Sequence, residues 1–307
     1  MCFPPLHATY GESALKTGVM LRIRYIRRRV AVLFLFLAIL FPLQASAGRP
    51  LVLAVHPYLP TKELIQRFTP LANYLGKEIG RSVEVRVGSD YDEHITYVGK
   101  DQVDIAFMGP AAYIMVAAKY GKKPLLARLE TDGNPSFRGY FIVRQDSPLK
   151  SLADLEGKRM AFGDRDSTMS HLVPQYMLEK AGVSLDKLAE YKFLNSHNNV
   201  VLAVLSGDFD AGAVKDEVFD KYAQQGLRAL ADTPYYSDHV FVTRRALAPG
   251  TIQALRSAML RLKDTPGGRE ILEAIKPHTT ALLPAVDADY DNLRLVLKAL
   301  GKLGKAN

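Results

Sequence analysis

Three hydroxyls fall within four residues at Ser167-Thr168-Met169-Ser170, between the apolar run Arg159–Phe162 and an amphipathic pattern that reaches Ala181. An alcohol is the favoured N-cap of a helix, but one cap needs one hydroxyl, so the surplus points to a further task. Hydroxyls beside the unpaired N–H groups of a helix start, at the positive end of its dipole, form an anion cradle that discriminates by hydrogen bonding and needs no lysine. Three more loops stand where an apolar run gives way to a helix. Met108–Tyr113 puts Pro110 at the first helical position and Tyr113, a phenol able to donate to an oxygen, in the first turn; the same ring would serve as core packing. Asn195–Asn199 is polar throughout, and His197 reads either as an oxyanion contact or as an ordinary loop histidine. Lys215-Asp216-Glu217 opens a helix with acids, which suits the dipole.

Other chemistries find little support. The chain has no Gly-x-Ser-x-Gly elbow, phosphate-binding Gly-x-x-x-x-Gly-Lys loop, dinucleotide fingerprint or His-Glu-x-x-His pair, so no enzyme is expected. His56, His171, His197 and His239 could converge on a metal, but their wide spacing and the lack of cysteine beyond Cys2 make neither a metal nor any cofactor the expectation.

The elements that must position these loops read as an α/β chain. From Leu51 to about Tyr120 the pattern is strand, helix, strand, helix, strand, helix, with Pro70 interrupting the first helix. A second set begins at Arg159 and runs to a helix at Asp216–Gln225. The two sets share a phrase, Asp104-Ile-Ala-Phe-Met-Gly-Pro110 against Asp210-Ala-Gly-Ala-Val-Lys-Asp216, in which an acid precedes a strand and a helix opens at its end. That repetition predicts two similar lobes with mostly parallel sheets. The β-like runs Phe137–Arg144 and Val240–Thr243 bracket the second set and are expected to be the two crossovers. In such sheets ligands bind beyond the carboxyl ends of the strands, where the four loops lie.

Charge and the amino-terminal segment set the compartment. Of 307 residues 48% are hydrophobic and 23% charged, the balance of a folded globular chain. The formal net charge of +8 comes from 40 basic and 32 acidic side chains, but six of the basic ones and only Glu12 of the acids precede residue 48. The remainder carries 34 against 31, or +3, which removes the electrostatic case for nucleic acid. Arg22–Arg29, the apolar run Val30–Leu43 and Ala45-Ser46-Ala47 have the order of a secretory signal, and the run of 14 residues is short of a membrane span. Cleavage after Ala47 and a periplasmic location follow. Residues 1–19 lack this pattern and read as an upstream extension ahead of Met20.

The order of the phrases SLADLEGKRMAFGDRDSTMSHLVPQYML, NSHNNVVLAVLSGDFDAGAV and VDIAFMGPAAY resembles the periplasmic substrate-binding proteins of phosphonate, phosphate and phosphite ABC transporters, over about residues 50–245. The resemblance implies a type 2 periplasmic-binding clamshell, with residues 48–138 and 240–307 as one lobe and 139–239 as the other. It implies capture of a small oxyanion in the interlobe cleft and delivery to a membrane permease; the alternative is a sensing protein that presents the bound anion to a sensor kinase or chemoreceptor. On matching positions Ser167 and Thr168 would bond phosphoryl oxygens, Tyr113 would close from the other lobe and His197 would complete the shell. Tyr58 is a further match. Glu217, and more remotely Asp238, stand where an acid can meet the amine of an aminophosphonate. The family phrase usually runs Ser-Thr-Ser-Gly, so Met169 replaces a hydroxyl, leaving its backbone N–H to donate and Ser170 to compensate. A monomer is expected.

Overall fold

The computed structural model describes residues 1–4 and 49–303, so the signal-like segment lies outside the described residues. The described residues from Arg49 onward lie in one compact unit containing two large sheets and a two-stranded one. Its first stretch runs β1 (Leu51–Val55), α1 (Thr61–Ile79), β2 (Val83–Val87), α2 (Tyr91–Gly99), β3 (Ile105–Met108), α3 (Pro110–Tyr120) and β4 (Leu125–Thr131). A short strand β5 (Ser136–Phe137) leads to β6 (Gly139–Arg144), β7 (Arg159–Phe162), α4 (Val173–Lys180), β8 (Glu190–Phe193), α5 (His197–Leu205), β9 (Ala211–Lys215), α6 (Asp216–Tyr222) and β10 (Leu227–Asp232). The chain returns through β11 (Tyr236–Ser237) to β12 (Val240–Thr243), α7 (Pro249–Leu260), α8 (Gly268–Ile275), β13 (Thr279–Leu283) and α9 (Asp291–Ala299).

The six-stranded sheet has the order β13-β4-β12-β3-β1-β2, and the five-stranded sheet β10-β6-β9-β7-β8. Each is parallel through three strands, β2-β1-β3 and β8-β7-β9, and antiparallel beyond them. Burial follows position: β3, β9 and β12 are buried at every residue, because helices cover both faces, whereas the edge strand β8 has no fully buried residue.

Two local expectations change. Gly139–Arg144 and Val240–Thr243 belong to the sheets themselves, and the lobes are joined instead by β5 and β11, which pair antiparallel at Phe137–Tyr236 and Ser136–Ser237. The alternating pattern could not separate a two-residue linking strand from the sheet strand beside it. The helix α1 also runs through Pro70: a proline inside a helix costs about 3 kcal/mol, and a buried face of Leu64, Phe68, Leu71, Ala72 and Leu75 outweighs it.

The core is divided in a way that matters for the site. Met169, Leu172 and Val173 of the second lobe share one apolar cluster with Ala111, Ala112 and Tyr113 of the first, so the lobes meet with little space between them.

Candidate functional site

The helix that opens at residue 168 begins with a π-helical turn, Thr168–Leu172, and only then becomes α4. Ser167 caps it: its Oγ accepts the Ser170 N–H at 3.2 Å. Thr168 Oγ1 reaches across the lobes and accepts the Ala111 N–H of α3 at 3.1 Å. With an acceptor site of each hydroxyl committed, both O–H protons remain available to a guest. The backbone N–H groups of Thr168 and Met169 have no partner among the described residues, as expected of a first helical turn.

These groups border a narrow cavity of about 10 Å³, walled by Tyr58, Ser167, Thr168, Met169 and His197 of the expected set, together with His56, Tyr91, Gly109, Phe137, Lys215 and His239. Gly109 is one of its walls. A Cβ placed there would stand 3.8 Å from His56 Nε2, 3.8 Å from Thr168 Oγ1 and 4.0 Å from His239 Nε2, so polar atoms from both lobes point at one spot.

The imidazoles are individually fixed. His197 Nδ1 accepts the Lys215 N–H at 3.2 Å, which leaves the proton on Nε2 and makes that nitrogen a donor. His56 Nδ1 lies 3.2 Å from the Phe107 carbonyl and His239 Nδ1 2.7 Å from Asp238 Oδ1, so both carry their proton on Nδ1. Burial lowers the pKa of all three, and nearby cations lower it further; His197 falls to about 3, with Lys215 the second cause. Three neutral imidazoles therefore line the wall at neutral pH.

Lys215 ends β9 with its side chain 3% exposed, its ammonium 3.8 Å over the Tyr58 ring and 2.6 Å from Glu217 Oε2. Glu217 also pairs with Arg67 of α1, and Lys276 lies 3.4 Å from Asp216 and 3.6 Å from Asp238. Arg67–Glu217 and Lys276–Asp216 each join one lobe to the other. Burial opposes ionisation of Glu217, but Lys215 and Arg67 outweigh it and hold its carboxyl at about 2.

Four expected contacts do not reach the cavity. Tyr113 is fully buried against Tyr290, with ring centroids 5.0 Å apart, and its hydroxyl donates to Asp287 at 2.7 Å, because its turn of α3 faces the carboxyl-terminal helix. The Ser170 hydroxyl accepts the Gly163 N–H at 2.7 Å and donates to the Ala213 carbonyl, tying β7 to β9 rather than replacing the hydroxyl lost at Met169. Met169 itself packs in the shared apolar cluster, its sulfur 3.6 Å from Thr233 Oγ1. Glu217 is consumed by its two cations. Asp238 stands behind His239, accepting its N–H at 2.6 Å. His171, the remaining member of the metal alternative, bonds the Arg165 carbonyl and packs on Phe162 and Phe193. Among the described residues no three His, Cys, Asp or Glu side chains are grouped to hold a metal ion.

His56, Tyr91, Gly109, Phe137, Lys215 and His239 line the same cavity without having been expected there. Their signal was positional: His56 follows β1, Gly109 follows β3, Lys215 closes β9 and His239 precedes the antiparallel β12, all at the cleft ends of strands.

Residues 53–290 match the family model for the periplasmic substrate-binding protein of phosphonate ABC transporters. The chain belongs to this family. Among its relatives, the phosphate-import protein PhnD of Mycolicibacterium smegmatis is 27% identical over 275 residues, covering 82% of this chain and 86% of the relative. A probable phosphite-binding protein, PhnD1, of Prochlorococcus marinus is 24% identical, covering 78% and 86% of the two chains. The solved structure of that PhnD1 in complex with methylphosphonate superposes with a TM-score of 0.75 at 24% identity, over 82% of this chain and 98% of the other. The likeness establishes the type 2 periplasmic-binding fold. The family is periplasmic, takes small ligands and partners an ABC permease; among the described residues no helix is long and apolar enough to cross a membrane.

Proposed function

We propose that this protein captures a phosphonate, phosphite or phosphate-type oxyanion in the cavity between its lobes and hands it to a membrane permease. The observation that carries the reading is the gathering on one cavity of the Ser167 and Thr168 hydroxyls, two unpaired backbone N–H groups of the same helix start, the His197 Nε2 donor and the Lys215 side chain. Ser167 and Thr168 donate their hydroxyl protons, Thr168 and Met169 their N–H groups, and His197 its Nε2 proton. Lys215 supplies a full positive charge, and Tyr58 holds that ammonium in place. Micromolar affinity requires about 8 kcal/mol, which three to five charge-assisted hydrogen bonds at about 1.5 to 3 kcal/mol each supply. The Thr168–Ala111 bond and the interlobe ion pairs make closure the signal a permease reads. Removal of residues 1–47 as a signal peptide and action as a monomer complete the reading.

Thermal unfolding tests it. With ligand at about 100 times its Kd, linkage contributes about 2.7 kcal/mol and raises Tm by about 5 to 10 °C for a chain of this size. Phosphite, phosphate or methylphosphonate is expected to give this rise in the protein lacking residues 1–47, and Ser167→Ala with Thr168→Ala to abolish it. An undiminished rise in the double variant would overturn the assignment.

A further inference from the structure

We propose that Lys215 restricts the ligand to a small tetrahedral oxyanion bearing no cationic group, so that simple oxyanions and alkylphosphonates are taken and aminoalkylphosphonates are refused. This rests on the oxyanion reading above and narrows it. Eleven residues wall the cavity, and none is Asp or Glu. Lys215 is the one residue among them paired as a cation, its ammonium 2.6 Å from Glu217 Oε2, while the three imidazoles are neutral.

An ammonium group entering with the ligand meets no free carboxylate: the nearby acids and the Tyr58 ring face are already engaged, and the acceptors left on the wall, such as the neutral imidazole nitrogens His56 Nε2 and His239 Nε2, do not offset the like charge of Lys215. Glu217 lies between Lys215 and Arg67. Asp238 accepts from His239 and faces Lys276, and Asp216 faces the same lysine. The Tyr58 ring is covered by the Lys215 ammonium at 3.8 Å. Phe137 and Met169 supply an apolar wall that suits a P–H or P–CH₃ substituent. An amine would thus be desolvated against like charge, a juxtaposition that costs several kcal/mol. Burial lowers the Lys215 pKa, and the Glu217 carboxylate opposes that, so the ion pair preserves the charge the site uses.

Ethylphosphonate and aminomethylphosphonate have the same number of heavy atoms and nearly the same shape, and differ in the ammonium. Calorimetric titration at pH 7.5, with methylphosphonate as reference, is expected to show ethylphosphonate binding at least about 100-fold tighter than aminomethylphosphonate, equivalent to about 2.7 kcal/mol. Lys215→Arg should retain the preference. Lys215→Met, with circular dichroism confirming its fold, should weaken methylphosphonate about 10- to 100-fold and bring the pair within about tenfold of each other. Wild-type protein that binds aminomethylphosphonate as well as ethylphosphonate would overturn the proposal. So would a folded Lys215→Met that keeps the full preference, or a wild-type protein that binds methylphosphonate but neither member of the pair, since size would then be the filter. If wild-type protein binds no phosphorus oxyanion at all, the reading beneath the proposal falls instead.

Discussion

Replacing Gly109 with alanine separates binding from folding more cleanly than removing any polar group. Gly109 has φ −65° and ψ 150°, open to every L residue, so alanine introduces no backbone strain. The added methyl would sit 3.8 to 4.0 Å from its nearest neighbours, ordinary van der Waals contact. As the N-cap of α3, alanine is a poorer residue than glycine by about 0.5 to 1 kcal/mol, and the loss of glycine's unfolded-state freedom returns about 0.4 to 1 kcal/mol. The net effect on stability is therefore below about 1 kcal/mol, and Tm should move by less than about 4 °C. Binding is different, because the methyl occupies the spot where His56 Nε2, Thr168 Oγ1 and His239 Nε2 converge. Displacing a ligand oxygen from Thr168 Oγ1 forfeits one charge-assisted hydrogen bond, or about 1.5 to 3 kcal/mol, which is a loss of about 10- to 100-fold in affinity, since the two imidazole nitrogens present lone pairs there and donate nothing. Calorimetric titration of the variant with methylphosphonate, beside its thermal melt, reads both quantities. A Gly109→Ala protein that melts like wild type and binds as tightly would refute the placement of the ligand at this glycine.

Tyr113 and Glu217 yield two further predictions. Tyr113→Phe removes the hydroxyl that donates to Asp287 and touches nothing in the cavity, so it should cost about 1 kcal/mol in chemical denaturation and leave oxyanion affinity within twofold; a tenfold loss of affinity would return Tyr113 to the site. Glu217 is held below the ordinary carboxylate range, so its contribution to the closed state is complete above about pH 4.5 and disappears as pH falls toward about 2. Small-angle scattering of the ligand-bound protein should accordingly register no Glu217-linked opening between pH 5 and 8, and Glu217→Gln should open the lobes at neutral pH; a variant as compact as wild type would remove Glu217 from the latch.

The sequence exposed the anion-binding loop because its signal is local. Three hydroxyls beside a strand end and a helix start identify themselves at short range, and the structure puts Ser167, Thr168 and Met169 on one cavity with His197 and Tyr58. The α/β alternation was legible for the same reason, as strand and helix periods are properties of short windows. What escaped depends on the direction in which a side chain leaves its element and on partners far along the chain. Tyr113 looked available until the turn Asp287–Tyr290 ahead of α9, 174 residues later, supplied the Asp287 carboxylate and the Tyr290 ring to pack on. Glu217 looked free for an amine because Arg67, 150 residues earlier, cannot be placed beside it by spacing. Lys215 was read only as the residue before a helix; its importance comes from burial, and burial is a property of the assembled lobes. The strands β5 and β11 are two residues each, too short for any alternation to mark them.

The central claim is that a tetrahedral oxyanion occupies the space in front of Gly109 with both lobes closed on it. A crystal structure of the protein with methylphosphonate tests this directly. The phosphorus should lie between Gly109 and Lys215, its oxygens within about 3 Å of Thr168 Oγ1, Ser167 Oγ, His197 Nε2 and the N–H groups of Thr168 and Met169. Methylphosphonate bound elsewhere on the lobes, with only water at Gly109, would contradict the account.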